Sequence, residues 1–206
     1  MDIKLKCACG AVEGVAIDVT PDNGNLVVCC CNDCQAFANY LEHDDNIVDE
    51  FGGTKIYQTS QSQVKINKGH EHVRRLRLSP KGLNRWYTEC CKTPIGNTVS
   101  AGIPLIGIIS NFISNNDDLD SKDLDNTLDS ALDIKLGPVL AYVQTQHARG
   151  TPDYPNPAKG FPIGITFRMI RKMLVWKIRG MNKPSAFFDQ DGKAVVKAKI
   201  LSELPQ

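Results

Sequence analysis

The sequence lacks net charge: 24 Lys and Arg against 23 Asp and Glu leave +1 over 206 residues, which is no field to hold nucleic acid or an anionic surface. It lacks long apolar runs. No stretch approaches the roughly 18 apolar residues of a membrane span, and residues 1–6 carry no signal-peptide core. A cytoplasmic protein without membrane or nucleic-acid partners is therefore expected. Internal repeats and low-complexity tracts are also missing, which excludes solenoids and fibres. Beyond Cys91 there is no further cysteine.

What is there is one ordinary globular composition, 42% hydrophobic and 23% charged, enough for a single domain with a substantial core. The 8 cysteines are crowded into three clusters: Cys7 and Cys9; Cys29, Cys30, Cys31 and Cys34; Cys90 and Cys91. Sulfurs separated by one or two residues have metal-ligand spacing. In a reducing compartment such cysteines serve as metal ligands or redox groups rather than structural disulfides. Zinc is the expected cofactor. Eight thiolates subtract eight charges and two Zn²⁺ ions restore four, which turns +1 into −3 and further disfavours nucleic acid.

Along the chain, Cys7-Ala8-Cys9-Gly10 has the form of a metal knuckle, with Gly10 free to take a positive φ. Val15, Ile17 and Val19 alternate as on a strand, and residues 26–28 form a short strand running into the second cluster. Asn32 or Asp33 is placed to cap a short helix carrying Cys34, Phe37 and Leu41 on one face. Residues 54–57, 63–66, 73–78 and 85–88 read as a strand meander, the last one delivering Cys90 and Cys91. Residues 1–100 thus form a mainly β core with short helices. Residues 101–206 add an acidic insertion, with seven aspartates between 115 and 133, and C-terminal strand and helix elements. No EF-hand calcium loop is present in the insertion. Residues 165–179 read as an amphipathic helix, with Phe167, Ile170, Leu174 and Ile178 on the face that packs on the domain.

Two candidate sites follow. Cys29, Cys31 and Cys34 form C-x-C-x-x-C at a strand-to-helix junction, where three thiolates can share one ion and leave a fourth position open. Spacing alone admits either an open catalytic site or a closed structural one, completed by Cys30 or a distant His. Cys30 points away from its neighbours in an extended segment. Cys7, Cys9 and Cys91, with Cys90 as the fourth ligand, suggest a structural site stapling two distant loops.

These motifs, followed by Phe51-Gly52-Gly53 and Cys91-Lys92-Thr93-Pro94-Ile95, occur in an order that resembles the glutathione-dependent formaldehyde-activating enzymes, the family that includes centromere protein V. The resemblance covers residues 5–100. It implies a β-tent-like sheet fold with two zinc sites, Cys7, Cys9 and Cys91 being structural ligands and Cys29, Cys31 and Cys34 holding a catalytic zinc. It also implies a carbon-sulfur lyase joining glutathione to formaldehyde. The chain departs from the family pattern at Thr88, where a cysteine is usual, at Cys30, where His is common, and at residues 35–39, where small residues are usual.

Two other classes compete with the lyase: a non-catalytic zinc module that binds a protein partner, and a thiol redox sensor built on Cys30 and Cys90. His70 and His72 would share one strand face, within a basic hairpin containing Arg74, Arg75 and Arg77. That hairpin reads as a solvated surface. His43 could reach the second cluster, His147 lies outside the matched region, and Trp86 and Tyr87 belong to the core.

Overall fold

The computed structural model describes residues 1–42, 44–114 and 136–201; the acidic stretch and His43 lie outside them. The described chain is mainly β. A three-stranded antiparallel sheet comprises β1 (Ile3–Lys6), β2 (Glu13–Ala16) and β5 (Val64–Lys68) in the order β1-β2-β5. An eight-stranded sheet contains β3 (Asn25–Cys29), β4 (Thr54–Thr59), β6 (Val73–Arg77), β7 (Asn84–Thr88), β8 (Pro94–Thr98), β9 (Ile106–Ile109), β10 (Val139–Val143) and β11 (Ala198–Ile200). Its order is β10-β3-β4-β9-β8-β7-β6-β11. The two edge strands pair in parallel, β10 with β3 and β11 with β6, whereas the interior pairs are antiparallel. Helices α1 (Asn32–Tyr40), the one-turn α2 (Asp44–Ile47) and α3 (Ile163–Ile178) complete the fold. No described helix is long and apolar enough to cross a membrane.

Strand alternation divides the core between the two faces of the large sheet. Leu26, Tyr57, Trp86, Ile106 and Ile108 face one cluster, which also holds Leu5, Val12, Val64 and Ile66 of the small sheet and its loops. Val27, Cys29, Ile56, Tyr87 and Ile109 face the other, where Phe37 and Leu41 of α1 pack. Trp86 is fully buried, has its ring centroid 4.8 Å from that of Phe187 at a tilt of 38°, and donates its indole N–H to Thr98 Oγ1 at 2.9 Å. Cys34, Phe37 and Leu41 are all buried at their helical spacing.

Four local expectations need correction. The strand at 15–19 ends early, at Ala16, because Asp18 takes φ +53 and the Ile17 amide turns to the Gln63 carbonyl at 2.8 Å. The N-cap of α1 is Cys31 itself, its carbonyl accepting from the amides of Cys34 at 2.9 Å and Gln35 at 3.2 Å. His70 and His72 occupy a single helical turn after Gly69, whose φ is +78, rather than a strand.

The fourth concerns α3, which docks by its polar side. Lys172 is buried and donates to the carbonyls of Asp22 and Gly24, and Arg168 donates to Asn25 Oδ1 at 2.8 Å and Pro21 O at 3.0 Å. The carbonyls of Pro21, Asp22 and Gly24 in the 20–25 turn accept from these two cations. Trp176 is the buried apolar residue of α3, and Phe167, Leu174 and Ile178 are 69%, 59% and 85% exposed.

The basic strand is also committed internally. Arg74 pairs with Glu89, Arg75 lies over the Trp86 ring at 5.9 Å, and Arg77 donates to Asn84 Oδ1 at 2.9 Å.

Candidate metal centres

The β1–β2 and β7–β8 loops bring Cys7, Cys9, Cys90 and Cys91 together, all sulfurs lying within 4.8 Å of one another. Closest separations are 3.6 Å for Cys7–Cys9, 3.4 Å for Cys9–Cys90, 3.9 Å for Cys7–Cys90 and 3.8 Å for Cys90–Cys91. A tetrahedral ion with metal–sulfur bonds of about 2.3 Å sets its ligands about 3.8 Å apart. The four thiols therefore fit one such ion without rearrangement.

Local backbone geometry accounts for the convergence. Gly10 takes φ +75 and donates to Cys7 O at 2.9 Å, and the chain returns so that the Val12 amide donates to Cys7 Sγ at 3.2 Å. Across the gap the Ala8 amide donates to Thr93 Oγ1 at 3.0 Å, tying the two loops together. Thr88 supports the site from the end of β7. Its fully buried hydroxyl accepts from the Thr93 amide at 3.1 Å and lies 3.4 Å from Cys91 Sγ. Burial works to raise the Cys91 thiol, but the Thr88 and Thr93 hydroxyls and nearby amides outweigh it and hold Cys91 at about 5. Cys90 is pushed up to about 12, by burial first and then by Cys9.

The second group is Cys29, Cys31 and Cys34, whose sulfurs also lie within 4.8 Å of one another. Cys29 ends β3, Cys31 opens α1, and Cys34 follows one turn later. No fourth Cys, His, Asp or Glu joins the group among the described residues. Cys30 is fully buried on the opposite side, its sulfur 3.9 Å from the Tyr154 hydroxyl, which itself donates to Asp49 at 2.6 Å. The Phe51-Gly52-Gly53 turn closes over this region. Gly52 takes φ +79, which favours glycine, and a Cβ on Gly53 would come within 2.6 Å of the Asp49 and Tyr154 side chains, which would have to shift.

The three sulfurs open onto a cavity of about 500 Å³, whose wall includes Asp33, Gln58, Arg85, Asn97, Gln144 and His147. Arg85 was legible in the sequence only as a strand residue. It is 2% exposed, donates to Asp33 Oδ2 at 3.3 Å and lies over the Phe37 ring at 5.4 Å. The available signal was its register with Tyr87, which aims it at α1 and the second cluster. His147 reaches the cavity wall without joining the sulfur group.

Thiol ionisation is divided sharply within the trio. Bonds from Cys29 and Cys34, with help from the Cys34 amide and the Arg85 charge, pull Cys31 down to about 2. Cys29 is raised, chiefly by its bond to Cys31. For Cys34 the bond from Cys29 lowers and the contact with Cys31 and burial raise, leaving it at about 12. Three thiolates so close repel without a cation between them, and a divalent ion would let all three ionise.

Residues 2–199 match a family of unknown function, DUF6151, and the chain belongs to it. No curated protein matches the chain.

Proposed function

We propose that this DUF6151 protein is a zinc-dependent carbon-sulfur lyase that joins a thiol to a small carbonyl compound, or releases it, in a β-tent-like fold resembling the glutathione-dependent formaldehyde-activating enzymes. The supporting observation is the contrast between four sulfurs that complete a tetrahedron and three that leave one position facing a cavity. Cys7, Cys9, Cys90 and Cys91 would hold a structural zinc, and Cys29, Cys31 and Cys34 a catalytic one. An all-sulfur donor set suits zinc. Bound at the trio, zinc would supply stabilisation of a substrate thiolate and polarisation of a carbonyl oxygen.

The remaining roles fall to the chain. Asp33, which lies between Cys31 and Cys34 on the cavity wall and is held by Arg85, takes the thiol proton as the carbon–sulfur bond forms. It returns that proton to the carbonyl oxygen, giving a hydroxyalkyl thioether. Asn97 and Gln144 offer hydrogen bonds to the substrate's polar groups. Eight free cysteines suit a reducing, cytoplasmic setting.

Exchange spectroscopy by NMR on glutathione and formaldehyde tests the reading. Acceleration by the zinc-loaded protein that disappears in Cys31→Ala with the fold intact supports it; no acceleration across several thiols and aldehydes removes it. A second reading, a zinc module that binds a protein partner, draws support from the exposed apolar stripe of α3. A redox pair of Cys30 and Cys90 has less support, since Cys30 faces Tyr154 and Cys90 sits in the four-sulfur group.

A further inference from the structure

The sulfur cavity does not end at the cysteines. Gln58, Leu105 and Phe161 also line a second chamber of about 310 Å³ that runs beneath α3. Both volumes fall within the ~300–1,000 Å³ of small-molecule sites. Apart from Gln58 and Thr166, the second chamber is apolar, walled on the α3 side by Ile165, Met169, Ile170 and Met173. Methionine side chains are unbranched and repack around a flexible guest. With no charged group on its wall, this chamber offers nothing to a peptide thiol carrying carboxylates.

A third observation lies at the junction of the two chambers. Gln58 lines both chambers, and its Oε1 is buried with no hydrogen-bond partner among the described residues. A buried acceptor left in this way keeps an uncompensated desolvation cost until a donor reaches it. An occupant that spans both chambers and carries an N–H at the junction would supply that donor.

We infer that the site takes an N-acylated aminothiol: its sulfur at Cys29, Cys31 and Cys34, its amide N–H on Gln58, and its alkyl chain beneath α3. This rests on the proposal that the sulfur cavity receives a thiol, whereas the apolar chamber stands on its own geometry.

Titration calorimetry of the zinc-loaded protein with N-acetylcysteamine, N-octanoylcysteamine and N-ethyloctanamide tests it. Each buried methylene tightens binding about fourfold, so the octanoyl thiol is expected to bind at least about a hundredfold more tightly than the acetyl thiol. Met173→Trp, which fills the chamber, should abolish that difference and leave N-acetylcysteamine unchanged. Ile170→Glu, at a 45% exposed position that folding tolerates, should reduce it. Gln58→Leu should weaken both thiols alike, by about tenfold. Equal affinities of the two thiols, with binding still lost in Cys31→Ala, would overturn the inference and leave the lyase reading standing. Binding of N-ethyloctanamide alone would sink the thiol part of both, and failure of all three ligands would overturn the chamber as well.

Discussion

The two sulfur centres of this protein are built from the same ligand and differ in almost everything else. The four-cysteine centre joins the β1–β2 loop of the small sheet to the β7–β8 loop of the large one, with Cys9 and Cys90 exposed. The three-cysteine centre sits where a fully buried strand becomes a helix, and Cys29 and Cys34 are buried. The first brings together enough sulfurs to close the coordination of one ion. The second brings together three, beneath a cavity walled by Arg85, Asp33 and Gln58. Ligand count and surroundings, not ligand chemistry, separate a staple from a site that can bind something.

That contrast can be broken first at the staple. Cys9→Ser should lower the metal content from two ions to one and cost roughly 4 kcal/mol or more, some 8–16 °C in Tm, in thermal melts followed by circular dichroism. If the melt is unchanged, the centre is not structural. Cys31→Ser should likewise remove one ion and abolish thiol–carbonyl exchange, yet move Tm far less than Cys9→Ser does; metal analysis and melts on the same samples decide it.

Proton counting sharpens the comparison further. At neutral pH the raised Cys29 and Cys34 keep their protons in the metal-free protein, while Cys31, at about 2, has none to lose. Loading the trio therefore releases about two protons, so its metal affinity should fall about a hundredfold per pH unit from pH 7 to pH 5. Competition with a chelating dye across that window measures the slope, and a pH-independent affinity would refute the assignment of protonation states. Asp33→Asn should slow exchange about 10²-fold while metal content stays at two ions, as read by NMR and metal analysis. Least in effect, Thr88→Val strips the hydroxyl that serves Cys91 and the Thr93 amide, and should cost about 1–3 kcal/mol in chemical denaturation.

Much of this architecture is legible locally. Strand alternation at residues 54–57, 73–78 and 85–88 reports the sheet because each of these segments has one or two covered faces. The helix after Cys31 is legible because Cys34, Phe37 and Leu41 recur at helical spacing. The face of α3 is not legible, since Phe167, Leu174 and Ile178 form the apolar stripe expected to pack, while Lys172 and Arg168 make the contacts. A polar face buries itself only where the neighbouring turn happens to present unsatisfied carbonyls, as Asp22 and Gly24 do. Arg85 was similarly invisible as a cavity residue, because its partners Asp33 and Asn97 come from other parts of the chain.

By itself, the sequence determined that the chain is mainly β, that its cysteines fall into groups with metal-ligand spacing, and that C-x-C-x-x-C lies at a strand-to-helix junction. These are short-range facts, set by side-chain periodicity and by how far a thiol reaches along a few residues. Only the tertiary structure decided that Cys90 joins Cys7, Cys9 and Cys91, that Cys30 turns toward Tyr154, and that the trio opens onto a cavity sharing wall residues with a second chamber. Each of those depends on strand register and on loops separated by tens of residues, whose meeting is governed by the packing of the whole core.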